Sequence, residues 1–342
     1  MIVTKGLTRT FGKKTAVYDL DLEVRDGEVF GFIGPNGAGK TTTVRMLCCL
    51  MRPTAGQAFL DGLSISNEPD ATKIRDMIGL LPEVPGLHES LTPCEILDFF
   101  GRLHGLDEAR RTKNIEELLK LLDLWDRRND PVVTFSKGMA QKVAIARALV
   151  HEPKFIFLDE PTAALDPLMA KTVRDFIMHL KSEGKTVFIT THNLSEAERI
   201  CDRVAIFNGK LVDVGTPKQL ALKHFGRRTV IDMTMSSGLE DKAKNLPNLL
   251  EGLKGVLKAA FQDNKLIVDL DEPELRNPEI IARLVAEGAN IRFVSEKTYS
   301  LEDVYLKIMG RRIDELGPGL APANGTVLPQ VPPQTPKGGA PA

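Results

Sequence analysis

The chain predicts an α/β fold, and three features carry the prediction. An apolar strand, Val29–Ile33, runs directly into the glycine-rich turn Gly34 to Thr41. A strand-and-helix rhythm returns at Phe155–Leu158, Thr186–Thr190 and Val204–Phe207, after a mostly helical block from about Pro85 to Val150. Beyond Gly215, Thr216 and Pro217 the pattern changes to short alternating strands around helices, which reads as a second, smaller α+β domain. At 342 residues, 42% of them hydrophobic, the chain is long enough to bury a core in each. The expected division is 1–217 for the first domain, with its helical block at about 85–150, then 218–312 for the second and 313–342 for a tail.

Local pattern justifies the elements in turn. Polar and apolar residues alternate through Leu20, Leu22 and Val24 before a turn at Asp26 and Gly27, so the opening segment is extended and leads into Val29–Ile33. In the helical block, Leu91–Gly101 carries Thr92 as cap, Pro93 in the first position and Glu95 third. That is a capping box ahead of an apolar stripe of Ile96, Leu97, Phe99 and Phe100. Helical spacing continues through Ile115–Leu124. In the second domain, strands are expected at Thr229–Met235, Lys265–Leu270 and Asn290–Val294, around a helix at Pro278–Glu287. A last helix, Leu301–Met309, puts Leu301, Val304, Tyr305 and Ile308 on one face behind a cap of Ser300 and Asp303. Beyond Leu316, seven of the 21 prolines and five of the 28 glycines crowd into 26 residues, a composition that predicts disorder. Asn324, Gly325 and Thr326 form a glycosylation sequon, which a disordered cytosolic tail would leave unmodified.

Composition excludes several function classes. A net charge of -1 supplies no basic field for nucleic acid or for an anionic membrane surface, and the cluster of Arg110, Arg111 and Lys113 reads as a solvated helix face. Met1–Gly6 shows no charged segment leading into an apolar run, and nowhere do the roughly 18 apolar residues of a bilayer span occur together. Cys48, Cys49, Cys94 and Cys201 have neither metal-ligand nor C-x-x-C spacing, so they are expected as reduced, mostly buried thiols. A cytosolic chain follows, one that would need a separate subunit to act across a membrane.

Two stretches carry chemistry. Gly34, Pro35, Asn36, Gly37, Ala38, Gly39, Lys40 and Thr41, followed by Thr42, match a phosphate loop set between a strand and a helix. Glycines let backbone N–H groups converge on phosphate oxygens, and the helix amino terminus adds a favourable dipole. Lys40 is placed to reach the β- and γ-phosphates and Thr41 to hold Mg²⁺. Asp159 and Glu160 end the apolar strand Phe155–Leu158. Neighbouring side chains at a strand end point apart, so Asp159 can face the metal while Glu160 faces the water that attacks the γ-phosphate.

The order of motifs from Phe135 to Asp166 is more specific still. A turn at Ser136, Lys137 and Gly138 leads into a helix, then the strand with its two carboxylates, then the loop Ala164, Leu165 and Asp166. With the phosphate loop, and with Thr190, Thr191 and His192 after a later strand, this order resembles the ATP-binding subunit of ABC transporters over roughly the first two thirds of the chain. The closing segment Thr298 to Arg311 is similar to the accessory carboxy-terminal domain of drug- and sodium-exporter ATPases of the ABC-2 branch.

The resemblance implies a P-loop NTPase core with a helical subdomain, hydrolysis of ATP with Mg²⁺, and roles for further residues. Phe11 would stack on adenine, His192 would sense the γ-phosphate, and Ser136 and Gly138 would contact the nucleotide of a partner chain. Asp166 would lie in the loop that crosses between two copies arranged head to tail, the partner being a second copy or a similar ATPase. A separate transmembrane permease subunit would dock near Glu83–His104, on the cytoplasmic face of the cell membrane. Two positions depart from the general pattern. Glu83 stands where glutamine is usual; it keeps metal ligation but loses the amide donor. Phe135, Lys137 and Met139 alter the signature turn in a way that looks like the ABC-2 variant. The competing class, a soluble ABC ATPase of translation or DNA maintenance, fits less well, because the chain has one set of motifs and no sustained heptads.

Overall fold

The structure is a computed structural model and describes residues 1–163, 165–236, 243 and 245–310. The proline- and glycine-rich tail beyond Leu316 and its Asn324 sequon lie outside the described residues. The chain divides into two compact units after Leu220.

The first unit opens with a hairpin of β1 (Ile2–Phe11) and β2 (Lys14–Val24), so the alternating amino-terminal segment is two strands turned at Gly12, not one extended run. The phosphate-loop strand β3 (Val29–Ile33) leads into helix α1 (Lys40–Leu47). Next come β4 (Ala55–Leu60), β5 (Leu63–Ser64), α2 (Glu68–Met77) and β6 (Ile78–Leu81). The helical block follows: α3 (Pro93–Leu103), α4 (Glu108–Leu121), single 3-10 turns at Trp125–Arg127 and Val132–Thr134, and α5 (Lys137–Leu149). Thr92 and Glu95 form the expected capping box on α3. The helix expected at Ile115–Leu124 starts about two turns earlier, because Asp107 caps it by accepting from the Arg110 N–H.

Strand β7 (Phe155–Asp159), α6 (Pro167–Ser182), β8 (Thr186–Thr191), α7 (Leu194–Ile200), β9 (Arg203–Phe207) and β10 (Leu211–Gly215) complete the core, and α8 (Pro217–Phe225) spans the division between units. Two sheets result. One is antiparallel, in the order β2-β1-β4-β5; the other runs β10-β9-β3-β8-β7-β6 and is parallel apart from its β10 edge. Strands β3, β7 and β8 are buried along their whole length, as continuous apolar runs in a parallel sheet must be. Phe30, Phe32, Phe157, Phe188 and Phe207 sit fully buried in one cluster, with Phe32 and Phe207 centroids 4.6 Å apart. Each such ring contributes on the order of 1.5–3 kcal/mol by leaving water. This core fixes the carboxyl ends of β3, β7 and β8, where the candidate residues gather.

The second unit is a four-stranded antiparallel sheet, β12-β13-β11-β14, with helices packed on it. Its elements are β11 (Arg227–Met235), α9 (Leu246–Glu251), β12 (Val256–Gln262), β13 (Lys265–Leu270), α10 (Pro273–Ala286), β14 (Ala289–Glu296) and α11 (Leu301–Ile308). Strand β12 and helix α9 were not expected from the sequence. Helix α10 begins at Pro273 and carries Pro278 inside it, whereas the sequence reading started the helix at Pro278. Ser300 and Asp303 form the expected capping box on α11.

Candidate active site

The turn after β3 is shaped by close backbone approach. A Cβ on Gly34 would lie 2.1 Å from the Phe207 carbonyl oxygen, and one on Gly39 would lie 2.2 Å from that of Ala16, where the backbone also has φ +102°. Only glycine fits at either position. Pro35 and Ala38 close the turn through an N–H to carbonyl bond of 3.2 Å, and Asn36 and Gly37 are exposed at its tip. Helix α1 starts at Gly39 with no side-chain cap and no acidic residue in its first turn. Its free N–H groups and dipole therefore suit a phosphate. Lys40 is buried, and its Nζ folds back over the turn to donate to the carbonyl oxygens of Gly34 at 2.8 Å and Pro35 at 3.3 Å.

The two carboxylates at the end of β7 diverge as their adjacency requires. Register pairs Asp159 with Thr190 on β8, and the Thr190 hydroxyl donates to Asp159 Oδ1. Glu160 has φ +52°, a left-handed conformation uncommon for a non-glycine residue, and its N–H is held by the Thr190 carbonyl oxygen at 3.0 Å. Its side chain turns toward the phosphate loop, with Oε1 3.4 Å from Lys40 Nζ and Oε2 2.9 Å from His192 Nδ1. The backbone N–H of His192 also approaches Oε2, at 3.4 Å. The histidine ring is itself open to solvent.

Lys40, Glu160 and His192 face one cleft of about 560 Å³, with Asp159 buried outside its lining. The structure brings Phe11, Asn36, Gly37, Gly39, Lys40, Thr41, Thr42, Glu83, Glu160 and His192 onto its walls. Gly34, Pro35 and Ala38 shape the loop behind that wall. Phe11 is 43% exposed and offers a ring face to the cleft, while the Arg9 guanidinium lies 4.7 Å from its centroid. Lys14, Ala16 and Ala163 also line the cleft and were not singled out from the sequence. The hairpin that returns β2 alongside Phe11 brings in Lys14 and Ala16, so Gly12 was the available signal. Among the described residues no group of three or more His, Cys, Asp or Glu side chains could hold a metal. The donors the sequence proposes, Thr41, Glu83 and Asp159, are oxygen ligands only, which suits Mg²⁺ sharing its shell with phosphate and water.

Ser136, Gly138 and Asp166 are not on the cleft. Ser136 caps α5 by accepting from the Met139 N–H at 3.2 Å, and Asp166 caps α6 by accepting from Leu168 and Met169, each at 3.0 Å. A Cβ on Gly138 would meet Met169 Cε at 2.8 Å, so the first turns of α5 and α6 lie against one another, with Gly138 buried and Ser136 and Asp166 on the exposed surface there. Gln141 links that surface to the carboxylates, donating from Nε2 to the Pro161 carbonyl oxygen at 3.0 Å.

Comparison with known proteins identifies this arrangement. Residues 17–163 match the family profile described as ABC transporter. The linearmycin resistance ATP-binding protein of Bacillus subtilis is 30% identical over 318 residues, covering 92% of this chain and 99% of that one. The daunorubicin/doxorubicin resistance ATP-binding protein of Streptomyces peucetius is 34% identical over 316 residues, covering 92% and 94%. A solved ATP-binding subunit of an ABC transporter superposes with a TM-score of 0.61 at 33% identity, over 66% of this chain and 93% of that chain. A dimeric ATP-binding cassette in a post-hydrolysis state, bound to ADP and phosphate, gives 0.58 at 28% identity, over 63% and 98%. With the phosphate loop, Glu160 and His192 on one cleft and Asp159 buried beside Glu160, the chain belongs to the ABC transporter family as an ATP-binding, ATP-hydrolysing subunit.

Proposed function

We propose that the chain is a Mg²⁺-dependent ATPase that works as a head-to-tail pair and drives export through a separate membrane-spanning subunit. One observation carries the reading: Lys40, Glu160 and His192 share a cleft, while Ser136, Gly138 and Asp166, at the amino termini of two helices that touch, lie outside it. A signature surface that its own chain does not use at its own phosphates is available to a second copy.

Within each site, Lys40 and the amide groups at the start of α1 bind the phosphates, and Phe11 stacks on the base. Mg²⁺ held by Thr41, Glu83 and Asp159 would offset phosphate charge as the γ-phosphoryl leaves. Glu160 orients the attacking water and accepts its proton; His192, 2.9 Å from the same carboxylate, reads whether the γ-phosphate is present. ATP favours the closed pair because only closure completes its contacts, and hydrolysis reopens it.

In this reading the channel belongs to another chain, on whose cytoplasmic face this one acts; among the described residues no helix is long and apolar enough to cross a membrane. Export is supported by the names of the relatives, which include drug-resistance and Nod factor export ATP-binding proteins. Purification of the native complex, identification of its membrane subunit and reconstitution in vesicles test the proposal. ATP-dependent outward movement of a cargo supports it; stable association with ribosomes or DNA and no membrane partner overturns it.

A further inference from the structure

We propose that Thr190 is a positioning residue for hydrolysis, its hydroxyl orienting the metal-binding carboxylate while its main chain holds the base. The inference rests on the roles proposed above for Asp159 and Glu160. Thr190 is completely buried near the end of β8, directly after the apolar run Val187, Phe188 and Ile189. Valine has the same shape and would suit such a strand better, so packing does not explain the hydroxyl.

Hydrogen-bond chemistry fixes what the hydroxyl does. A threonine has one proton to donate and two lone pairs to offer, an ionised carboxylate only accepts, and an amide only donates. The proton therefore goes to Asp159 Oδ1, which would leave the other carboxylate oxygen for the metal role proposed above. The Glu160 N–H reaches the Thr190 hydroxyl oxygen at 3.3 Å, beside the Thr190 carbonyl oxygen at 3.0 Å. Those two bonds hold the residue whose φ is +52° and whose side chain meets both Lys40 and His192. Parallel register sets Asp159 opposite Thr190, so one residue touches both the Asp159 carboxylate and the Glu160 main chain.

The test separates hydroxyl from methyl in the full-length chain, using Thr190→Ser, Thr190→Val and Thr190→Ala. Two quantities are read: turnover, and the affinity for Mn²⁺ measured by electron paramagnetic resonance with a non-hydrolysable ATP analogue bound. Valine and alanine are expected to weaken Mn²⁺ binding and slow turnover by about tenfold or more, and serine by less than about threefold. Analogue affinity without metal should stay within about threefold for every variant, which also reports folding. Losses that follow the methyl, with serine and alanine impaired and valine intact, overturn the proposal. So does unchanged Mn²⁺ affinity in valine and alanine. Should the valine variant not fold, the serine and alanine pair decides alone. Asp159→Asn serves as reference: Mn²⁺ loss there with none at Thr190 rejects this inference only, whereas Mn²⁺ binding retained in Asp159→Asn rejects the metal role of Asp159 itself.

Discussion

Lys40 and Glu160 form a buried ion pair, Nζ to Oε1 3.4 Å, with 6% and 9% of their side chains exposed. The two residues come from motifs far apart in sequence, and β8 lies between their strands in the sheet. Such a pair is balanced between desolvation and attraction, so a phosphate competes with Glu160 for the Lys40 ammonium. In the proposed mechanism the base and the phosphate ligand are thus coupled before chemistry begins.

Removing the charge of Glu160 should reveal both functions. Glu160→Gln is expected to slow hydrolysis by at least roughly 100-fold while ATP affinity stays equal or tightens, since Lys40 loses its competing carboxylate. Steady-state turnover and nucleotide titration check this, with size-exclusion chromatography in ATP to detect a trapped dimer. Near-normal turnover in this variant would remove Glu160 from the role of base.

The surface holding Ser136, Gly138 and Asp166 should act in trans. Ser136→Arg chains and Lys40→Ala chains are each expected to be inactive, yet mixing them yields heterodimers in which one composite site carries both lesions and the other carries neither. Partial return of ATPase activity on mixing is the expected result. Mixtures in which heterodimers demonstrably form but stay inactive would exclude independent composite sites.

His151 should set a pH dependence of stability. Its ring stacks on His104 at 3.7 Å; its Nε2 donates to the Ile78 carbonyl oxygen at 2.8 Å, so the unprotonated Nδ1 is the nitrogen buried without a partner. Burial first, and the nearby His104 second, push its pKa down from 6.5 to about 4. The unfolded chain then takes up a proton below pH 6.5 that the folded chain refuses until about pH 4. Stability is therefore full above pH 6.5 and falls as pH drops through that window, by at most about 3 kcal/mol from this residue. Thermal melts of His151→Gln, which keeps a donor for Ile78 but cannot titrate, should show a shallower fall between pH 6.5 and 4. An unchanged slope would mean that other groups set it.

Much of this site was legible because its motifs compel their own geometry. Gly34 to Thr41 could be read as a loop because Gly34 and Gly39 leave no room for side chains, and Asp159 with Glu160 could be read as divergent because a strand end makes them so. Thr190 is legible in sequence only as the end of a strand and the start of the Thr190, Thr191, His192 turn. Its role depends on which strand lies beside β7 and in what register, and no local pattern encodes that. The left-handed Glu160 is hidden for the same reason. In the second unit, β12 lacks clear alternation around Lys258, Ala259 and Ala260, and α9 is one and a half turns long, so neither gave a periodic signal. Two prolines five residues apart both fit a helix start, and the chain uses Pro273 and not Pro278.

The second unit should be dispensable for nucleotide binding but not for assembly. It has its own core, in which Ile231, Met233, Leu266, Val268, Ile280 and Leu284 are almost wholly buried, and it carries none of the phosphate chemistry. Helix α8 closes at Gly226, whose φ is +70°, so a chain ended there keeps Leu220, which is buried in the first unit. Such a truncation, shown to be folded by circular dichroism, is expected to hold ATP within about threefold of the full chain, because every cleft residue remains. Dimerisation in ATP, followed by analytical ultracentrifugation with the Glu160→Gln background to block hydrolysis, should weaken, and transport by the reconstituted complex should fall with it. Lost ATP affinity in a folded truncation would show that the second unit supports the cleft directly. If dimerisation and transport both stay at the full-length level, the second unit has no part in assembly and serves only to cap its own chain.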